Sequence, residues 1–262
     1  MLEALHDVDL QTYTRFIYFW GALGIVSSLL IHYTNMLPIS SRTEDERLSV
    51  LGMIDKKLGW IIMETPILVS VLYFYLSGSK PVNASVVMIA AFVLHYAHRA
   101  LIYPHRIRVQ GKKMPVSMVL MTMFFYSING YLIGHYFGSL REYPISWLSD
   151  PRFICGAALF VAGFIINVRS DTILINLRAP GESGYKIPSG GLFRYVSCPN
   201  YFGEIVEWVG FALMCWSLPG TVYALWVCLA LFATGLGTHR WYTRYFHDSY
   251  PSNRKALIPF LI

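Results

Sequence analysis

Seven apolar segments, each near the roughly 20 residues a helix needs to cross a bilayer, restrict this chain more than any other feature. They run over about 13–34, 58–78, 84–103, 115–138, 152–170, 201–218 and 220–243. In hydrocarbon every backbone N–H and C=O must be satisfied within the protein, and a helix does so inside each segment. The predicted fold is an all-α integral membrane protein with seven transmembrane helices. Only 14% of residues are charged, against about 25% in soluble domains, and mean hydropathy is +0.46. No internal repeat or low-complexity run divides the chain, so residues 1–262 are expected to form a single seven-helix domain and an inverted-repeat transporter is disfavoured.

An odd number of spans places the termini on opposite sides, and Lys and Arg decide which. Arg42, Arg47, Lys56 and Lys57 lie in the first loop, and Arg106, Arg108, Lys112 and Lys113 in the third. Arg169, Arg178, Lys186 and Arg194 lie in the fifth, and Arg240, Arg244, Arg254 and Lys255 in the tail. The opposite side carries only Arg15, Lys80, Arg141 and Arg152. The positive-inside rule then predicts the N-terminus outside and the C-terminus cytoplasmic. The same distribution accounts for the net charge of +6 without a nucleic-acid partner. Cys155, Cys198, Cys215 and Cys228 are scattered with no CxxC pair, so neither a metal nor a disulfide framework is expected. Glu3, Asp7 and Asp9 stand where a signal peptide would have basic residues.

One stretch, Asn167 to Gly210, is dense in groups that hydrocarbon does not tolerate. Arg169, Arg178, Lys186 and Arg194 alternate with Asp171, Glu182, Glu204 and Glu207, and Ala179-Pro180-Gly181 and Pro188-Ser189-Gly190-Gly191 punctuate it. Long loops of this kind between ordered elements are commonly functional. Gly181, Gly184, Gly190 and Gly191 make it the expected gate. Elsewhere, Glu64 sits inside the second span ahead of Pro66, where a helix bends. An intramembrane carboxylate is a functional candidate by default. Tyr96, in His95-Tyr96-Ala97-His98-Arg99, could pair with Glu64 so that its hydroxyl serves a carbonyl oxygen. Arg99, Arg108, Arg178 and Arg194 could converge on phosphate. Residue chemistry alone reaches a membrane protein with an anion site and an intramembrane acid–tyrosine pair, but no reaction.

The segments LRAPGESGYKIPSGGLFRYVS, NYFGEIVEW and RKALIPF resemble the membrane steroid 5α-reductases, and the likeness runs over about 50–262. That resemblance implies a seven-helix bundle enclosing NADPH and reducing the Δ4 bond of a 3-keto steroid, with hydride delivered to C5. Glu64 and Tyr96 match its catalytic glutamate and tyrosine, which polarise the 3-keto oxygen. Trp60, Arg99, Arg108, Asn167, Asp171, Arg178, Tyr185, Asn200, Glu204 and His239 fall on cofactor positions. Met63 replaces the family's glutamine, and Thr234 and Thr238 stand where an arginine and a histidine are usual, which leaves His239 as the contact there.

The implied partners are a steroid or other lipid enone drawn from the bilayer and the membrane lipids themselves, with the protein acting as a monomer. The implied location is multi-pass, in a bacterial inner membrane or, in a eukaryote, the endoplasmic reticulum. Ser197-Cys198-Pro199-Asn200-Tyr201 is closer to membrane trans-2-enoyl-CoA reductases, the alternative activity, whereas the retained Glu64 and GGLF argue for the steroid enzymes. A carboxyl methyltransferase would usually show Arg-His-Pro where this chain has Ser197-Cys198-Pro199. A seven-span receptor leaves the polar stretch unexplained.

Overall fold

Among the described residues, seven long helices fall on the seven predicted segments: α1 Leu10–Thr34, α2 Lys56–Leu76, α3 Ser85–Ala97, α4 Val116–His135, α5 Pro151–Asn176, α6 Pro199–Cys215 and α7 Leu218–Phe246. The computed structural model describes residues 5, 7–34, 50–81, 83–109, 111–179, 182 and 184–262, and the side chains of all of these but 30–34. Glu3, Arg42, Arg47, Pro180 and Gly181 therefore lie outside the described residues. Among the described residues, five helical runs are long and apolar enough to cross a membrane: Lys56–Leu76, Ser85–Arg106, Val116–Leu140, Pro151–Asn176 and Leu218–Ser249.

Local chemistry sets several helix ends. Proline occupies the first turn of α5, α6 and α7, where its missing N–H costs nothing. Asp150 caps α5 by accepting from the Arg152 N–H at 2.8 Å, and Ser217 caps α7 by accepting from Gly220. Helix α2 passes through Pro66. α3 continues through a π-helical turn, His98–Ile102, into the short helix Tyr103–Arg106. Helix α5 runs past its predicted end at residue 170 to Asn176. It can do so because Asn167 and Asp171 are buried, 1% and 3% exposed, and so do not face lipid. The loop that follows is correspondingly shorter than the polar stretch in the sequence.

Glycines decide which helices lie closest. Gly156 and Gly163 of α5 meet Gly210 and Gly203 of α6 so tightly that a Cβ at any of them would clash with the facing backbone. Each pair is two helical turns apart, so the antiparallel helices stay in contact along a shared face, the small-residue packing that serves in lipid, where apolar burial offers little. Gly130 and Gly134 of α4, with Gly138 of the π-helical turn that follows it, come equally close to Ile67, Val71 and Phe74 of the parallel helix α2. Between these two pairs sits α3, whose Phe92 packs against Trp208, Phe211 and Tyr223 in the core.

At one end the bundle carries two small pieces of sheet. Strand β1, Met53–Asp55, pairs antiparallel with β2, Lys113–Pro115, holding α2 and α4 in register at their starts. Neither was expected, since three residues are too few for a periodic signal. Val196 and Lys255 form an isolated parallel bridge, with Ser197 N–H donating to the Lys255 carbonyl at 2.8 Å. The tail is thereby clamped to the segment that leads into α6, and the fully buried Leu257 packs over Gly235.

Candidate active site at the junction of two cavities

Two cavities meet inside the bundle. The larger, of about 940 Å³, lies among α1, α2, α4 and α7, and Glu64, Tyr96 and Tyr126 open onto it. The smaller, of about 280 Å³, lies toward the β1–β2 end and collects Lys56, Arg108, Lys112, Arg178 and Lys186. Trp60, Arg99 and Tyr201 line both.

Arg99 is the hinge of the arrangement. It sits in the π-helical turn after α3, a local widening of the kind that re-aims side chains at functional sites. Its guanidinium reaches Glu64 Oε1 at 3.5 Å and Asp171 Oδ2 at 3.9 Å, and it stacks near Trp60 and Tyr103 at 5.0 and 5.2 Å from the ring centroids. The predicted pairing of Tyr96 with Glu64 is not observed. Its hydroxyl meets that of Tyr223, whereas Glu64 is paired with Arg99 and has the Tyr126 hydroxyl against it. Tyr96 and Glu64 share the cavity without touching through a hydrogen bond. Sequence reading missed Tyr126 and Tyr223: each looks like an ordinary apolar-face aromatic, and no spacing rule links α4 or α7 to Glu64.

From Arg99 a chain of polar contacts continues across α5 and α6. Asn200, at the start of α6, donates to Asp171 Oδ1 at 3.1 Å. Asn167 Nδ2 donates to the Asn200 carbonyl at 3.0 Å and to Glu204 Oε2 at 3.3 Å. The glycine contacts between α5 and α6 are what allow such short reaches, because Gly203 and Gly163 lie beside Asn167 and Glu207. Glu64 Oε2, Asn167 Oδ1, Asp171 Oδ2 and Trp60 Nε1 are buried with no hydrogen-bond partner in the protein. Such groups cost stability, and four around one junction mark a place built for a polar ligand.

The outer cavity is shaped by the loop after α5. Arg108 donates to the Arg178 carbonyl at 2.8 Å and to Asn176 at 3.2 Å, and Arg178 donates to the Gly184 carbonyl at 3.0 Å. Tyr185 packs edge-on against Trp241 and Tyr245, with Lys112 over its ring. Glu182 pairs with Lys186, whose hydrogen bond holds the carboxyl below its ordinary pKa. Gly190 adopts φ 90°, a backbone open to glycine at little cost, and turns the chain toward Gly191–Arg194.

Of the residues singled out in the sequence, Trp60, Glu64, Tyr96, Arg99 and Glu204 line the larger cavity. Arg108, Asp171, Arg178, Tyr185 and Asn200 line the smaller, and Asn167 stands directly behind Asn200 and Glu204. His239 lines neither. Its Nδ1 meets Ser197 Oγ at 2.6 Å, which in turn meets the Tyr250 hydroxyl at 2.6 Å, so His239 belongs to the clamp that secures the tail. Arg194 also lines neither cavity.

The arrangement offers a roomy apolar cavity with an acid and hydroxyls, joined to a cationic one, through a shared wall of Trp60, Arg99 and Tyr201. A family model described as 3-oxo-5-alpha-steroid 4-dehydrogenase matches residues 112–262. The chain is 46% identical over 208 residues to 3-oxo-5-alpha-steroid 4-dehydrogenase 1 of Macaca fascicularis, covering 78% of each chain. To the protein of the same name in Homo sapiens it is 45% identical over 208 residues, covering 78% of this chain and 80% of the relative. To steroid 5-alpha-reductase DET2 of Gossypium hirsutum it is 41% identical over 216 residues, covering 79% and 83%.

Proposed function

Because the chain belongs to the 3-oxo-5-alpha-steroid 4-dehydrogenase family, and is thereby an oxidoreductase of the CH–CH group, we propose that it reduces the Δ4 bond of 3-keto steroids to 5α-3-keto steroids with NADPH. The observation that carries this reading is the pair of cavities meeting at Trp60, Arg99 and Tyr201. A steroid is apolar with one polar end, which suits the larger cavity and its few polar groups.

The smaller cavity fits NADPH by its own chemistry. Arg108, Arg178 and Lys112 supply the cationic donors that phosphate favours. Trp60 Nε1 and Asp171 Oδ2 are buried polar atoms left for a ligand. Arg108, Arg178 and Tyr185 would hold the phosphate-bearing part, and Trp60, Arg99, Asp171, Asn200 and Glu204 the part nearer the junction, with Asn167 positioning Asn200 and Glu204 from behind. When bound, NADPH supplies the hydride.

This chain's residues prepare the steroid to accept it at C5. Addition there pushes electron density through C4 onto the 3-keto oxygen, so a donor at that oxygen stabilises the charge as it develops. Tyr96 donates from its hydroxyl, and Glu64 donates when its carboxyl carries a proton. Arg99 keeps Glu64 turned toward the junction, Tyr223 holds the Tyr96 hydroxyl, and Tyr126 stands over Glu64. The aromatic walls exclude water, which strengthens each of these contacts. A proton then reaches C4 and completes the saturated ketone. His239 acts at one remove, through Ser197, by securing the segment ahead of Asn200.

All seven helices are placed across the bilayer, N-terminus outside and C-terminus cytoplasmic, on the Lys and Arg distribution. The smaller cavity then opens toward the cytoplasm. Product analysis tests the reaction: detergent-purified protein is incubated with NADPH and progesterone, and the products are identified by mass spectrometry. A 5α-reduced ketone two mass units heavier is expected. Unchanged steroid with NADPH still bound would overturn the substrate assignment.

A further inference from the structure

Behind the site lies a pair of ionisable groups that neither cavity reaches. His95 Nδ1 is 2.8 Å from Glu207 Oε1, the two residues are 1% and 0% exposed, and neither lines a cavity. The His95 ring is walled by Trp208, Tyr96 and Phe164, at centroid distances of 4.6, 4.9 and 6.5 Å. Placing a carboxyl and an imidazole in such surroundings is costly, and an apolar pair of similar volume would often be as stable. What the pair faces gives it a use. The other ring nitrogen, Nε2, lies 3.9 Å from Glu204 Oε1, within ion-pair reach but longer than a hydrogen bond, and the second Glu204 oxygen accepts from Asn167.

Proton placement limits what the pair can be. A carboxylate with an Nδ1–H imidazole would turn a bare Nε2 lone pair toward Glu204 and set two like charges on either side of the ring. A carboxylic acid donating to Nδ1 avoids this, and so does an imidazolium donating to the Glu207 carboxylate. Both alternatives carry one proton more, make the pair neutral overall and present Nε2–H to Glu204. Only those two arrangements attract the Glu204 carboxylate.

We propose that Glu207 and His95 form a positioning pair that shares one proton and, through Nε2–H, fixes the Glu204 carboxyl at the junction of the two cavities. This rests on the reading of Glu204 as a cofactor contact. The pair touches neither ligand and acts through Glu204 alone.

A mutant cycle in the full-length purified enzyme tests it, with Glu207→Gln and His95→Asn made singly and Glu207→Gln combined with Glu204→Gln. KM for NADPH, KM for progesterone and kcat are measured for each. Glu207→Gln and His95→Asn are each expected to raise KM for NADPH about tenfold, the loss of one buried electrostatic contact to Glu204, with KM for progesterone within about twofold. The double variant is expected to be no worse than Glu204→Gln alone, since residues acting through one group do not add.

A pair that merely ties α3 to α6 would lower the yield of folded enzyme, leave KM of the folded fraction unchanged and combine additively with Glu204→Gln; that result overturns the proposal. Failure of both single variants to accumulate as folded protein would assign the pair to folding and overturn it too. If Glu204→Gln raises KM for NADPH and Glu207→Gln does not, the pair is refuted while Glu204 stands. If Glu204→Gln itself leaves KM for NADPH unchanged, the cofactor role of Glu204 fails first.

Discussion

The two cavities share a wall yet are made of different parts of the chain. The larger is enclosed by faces of long helices, with the rings of Trp20 from α1, Phe125 from α4 and Trp226 from α7 packed against one another. The smaller is built largely where helices end: the turn after α3, the end of α5, the loop carrying Arg178 and Tyr185, and the segment that leads into α6. Helix faces supply apolar volume at membrane depth, because their backbone groups are already paired. Helix ends and loops supply unpaired donors and cations, which hydrocarbon would exclude. The proposed reaction, which joins an apolar substrate to a charged cofactor, needs both materials in contact, and Arg99 stands at the seam.

If this division of labour holds, substitutions on the two sides affect different constants. The largest effect is expected at Glu64→Gln, which removes the acid from the larger cavity: kcat falls about 10²–10³-fold while the dissociation constant for NADPH, read by quenching of tryptophan fluorescence, changes less than about threefold. Equal loss of both would erase the boundary between the cavities. Tyr126→Phe sharpens the assignment on the same side, lowering kcat about tenfold through the neighbouring Glu64; turnover equal to that of the unmodified enzyme would remove Tyr126 from the site. On the other side, Arg178→Ala should raise KM for NADPH about tenfold and leave kcat at saturating NADPH and KM for progesterone nearly unchanged.

The smallest effect belongs at the far end of the bundle, where Asp150 caps α5 and pairs with Arg152 at 2.8 Å. The Arg152 hydrogen bond lowers the Asp150 pKa from 3.8 to about 2, so its contribution to stability is complete above the ordinary value and lost as pH falls through about 2. Asp150→Asn should lower the unfolding temperature slightly at pH 7, leave both KM values unaltered and show no change in that difference from pH 5 to 8. An altered KM would mean that the cap end is coupled to the cavities.

Much of the site could be read before any coordinates. Glu64, Arg99, Asn167, Asp171 and Glu204 stand out because each is a polar group in or beside an apolar segment, and all five meet around one junction. His239, which entered only through the family resemblance, is engaged by Ser197 and Tyr250 and lines neither cavity. The expected Tyr96–Glu64 pair fails as a direct contact because the partners of each hydroxyl or carboxyl come from α3, α4 and α7, whose relative rotations no local pattern encodes. Tyr126 and Tyr223 carry no signal of their own, being aromatics among 18 tyrosines and 16 phenylalanines.

The sequence by itself determined the seven helical segments and the concentration of charge between Asn167 and Gly210, because the bilayer penalises each unpaired polar group separately and so leaves a mark residue by residue. It determined the family as well, through short motifs that are contiguous in the chain. Only the tertiary structure decided that α5 and α6 close on paired glycines, that Arg99 bridges Glu64 and Asp171, and that His95 lies between Glu204 and Glu207. Those are distances between groups as many as 112 positions apart, set by how whole helices pack, and packing is a property of all the facing side chains at once.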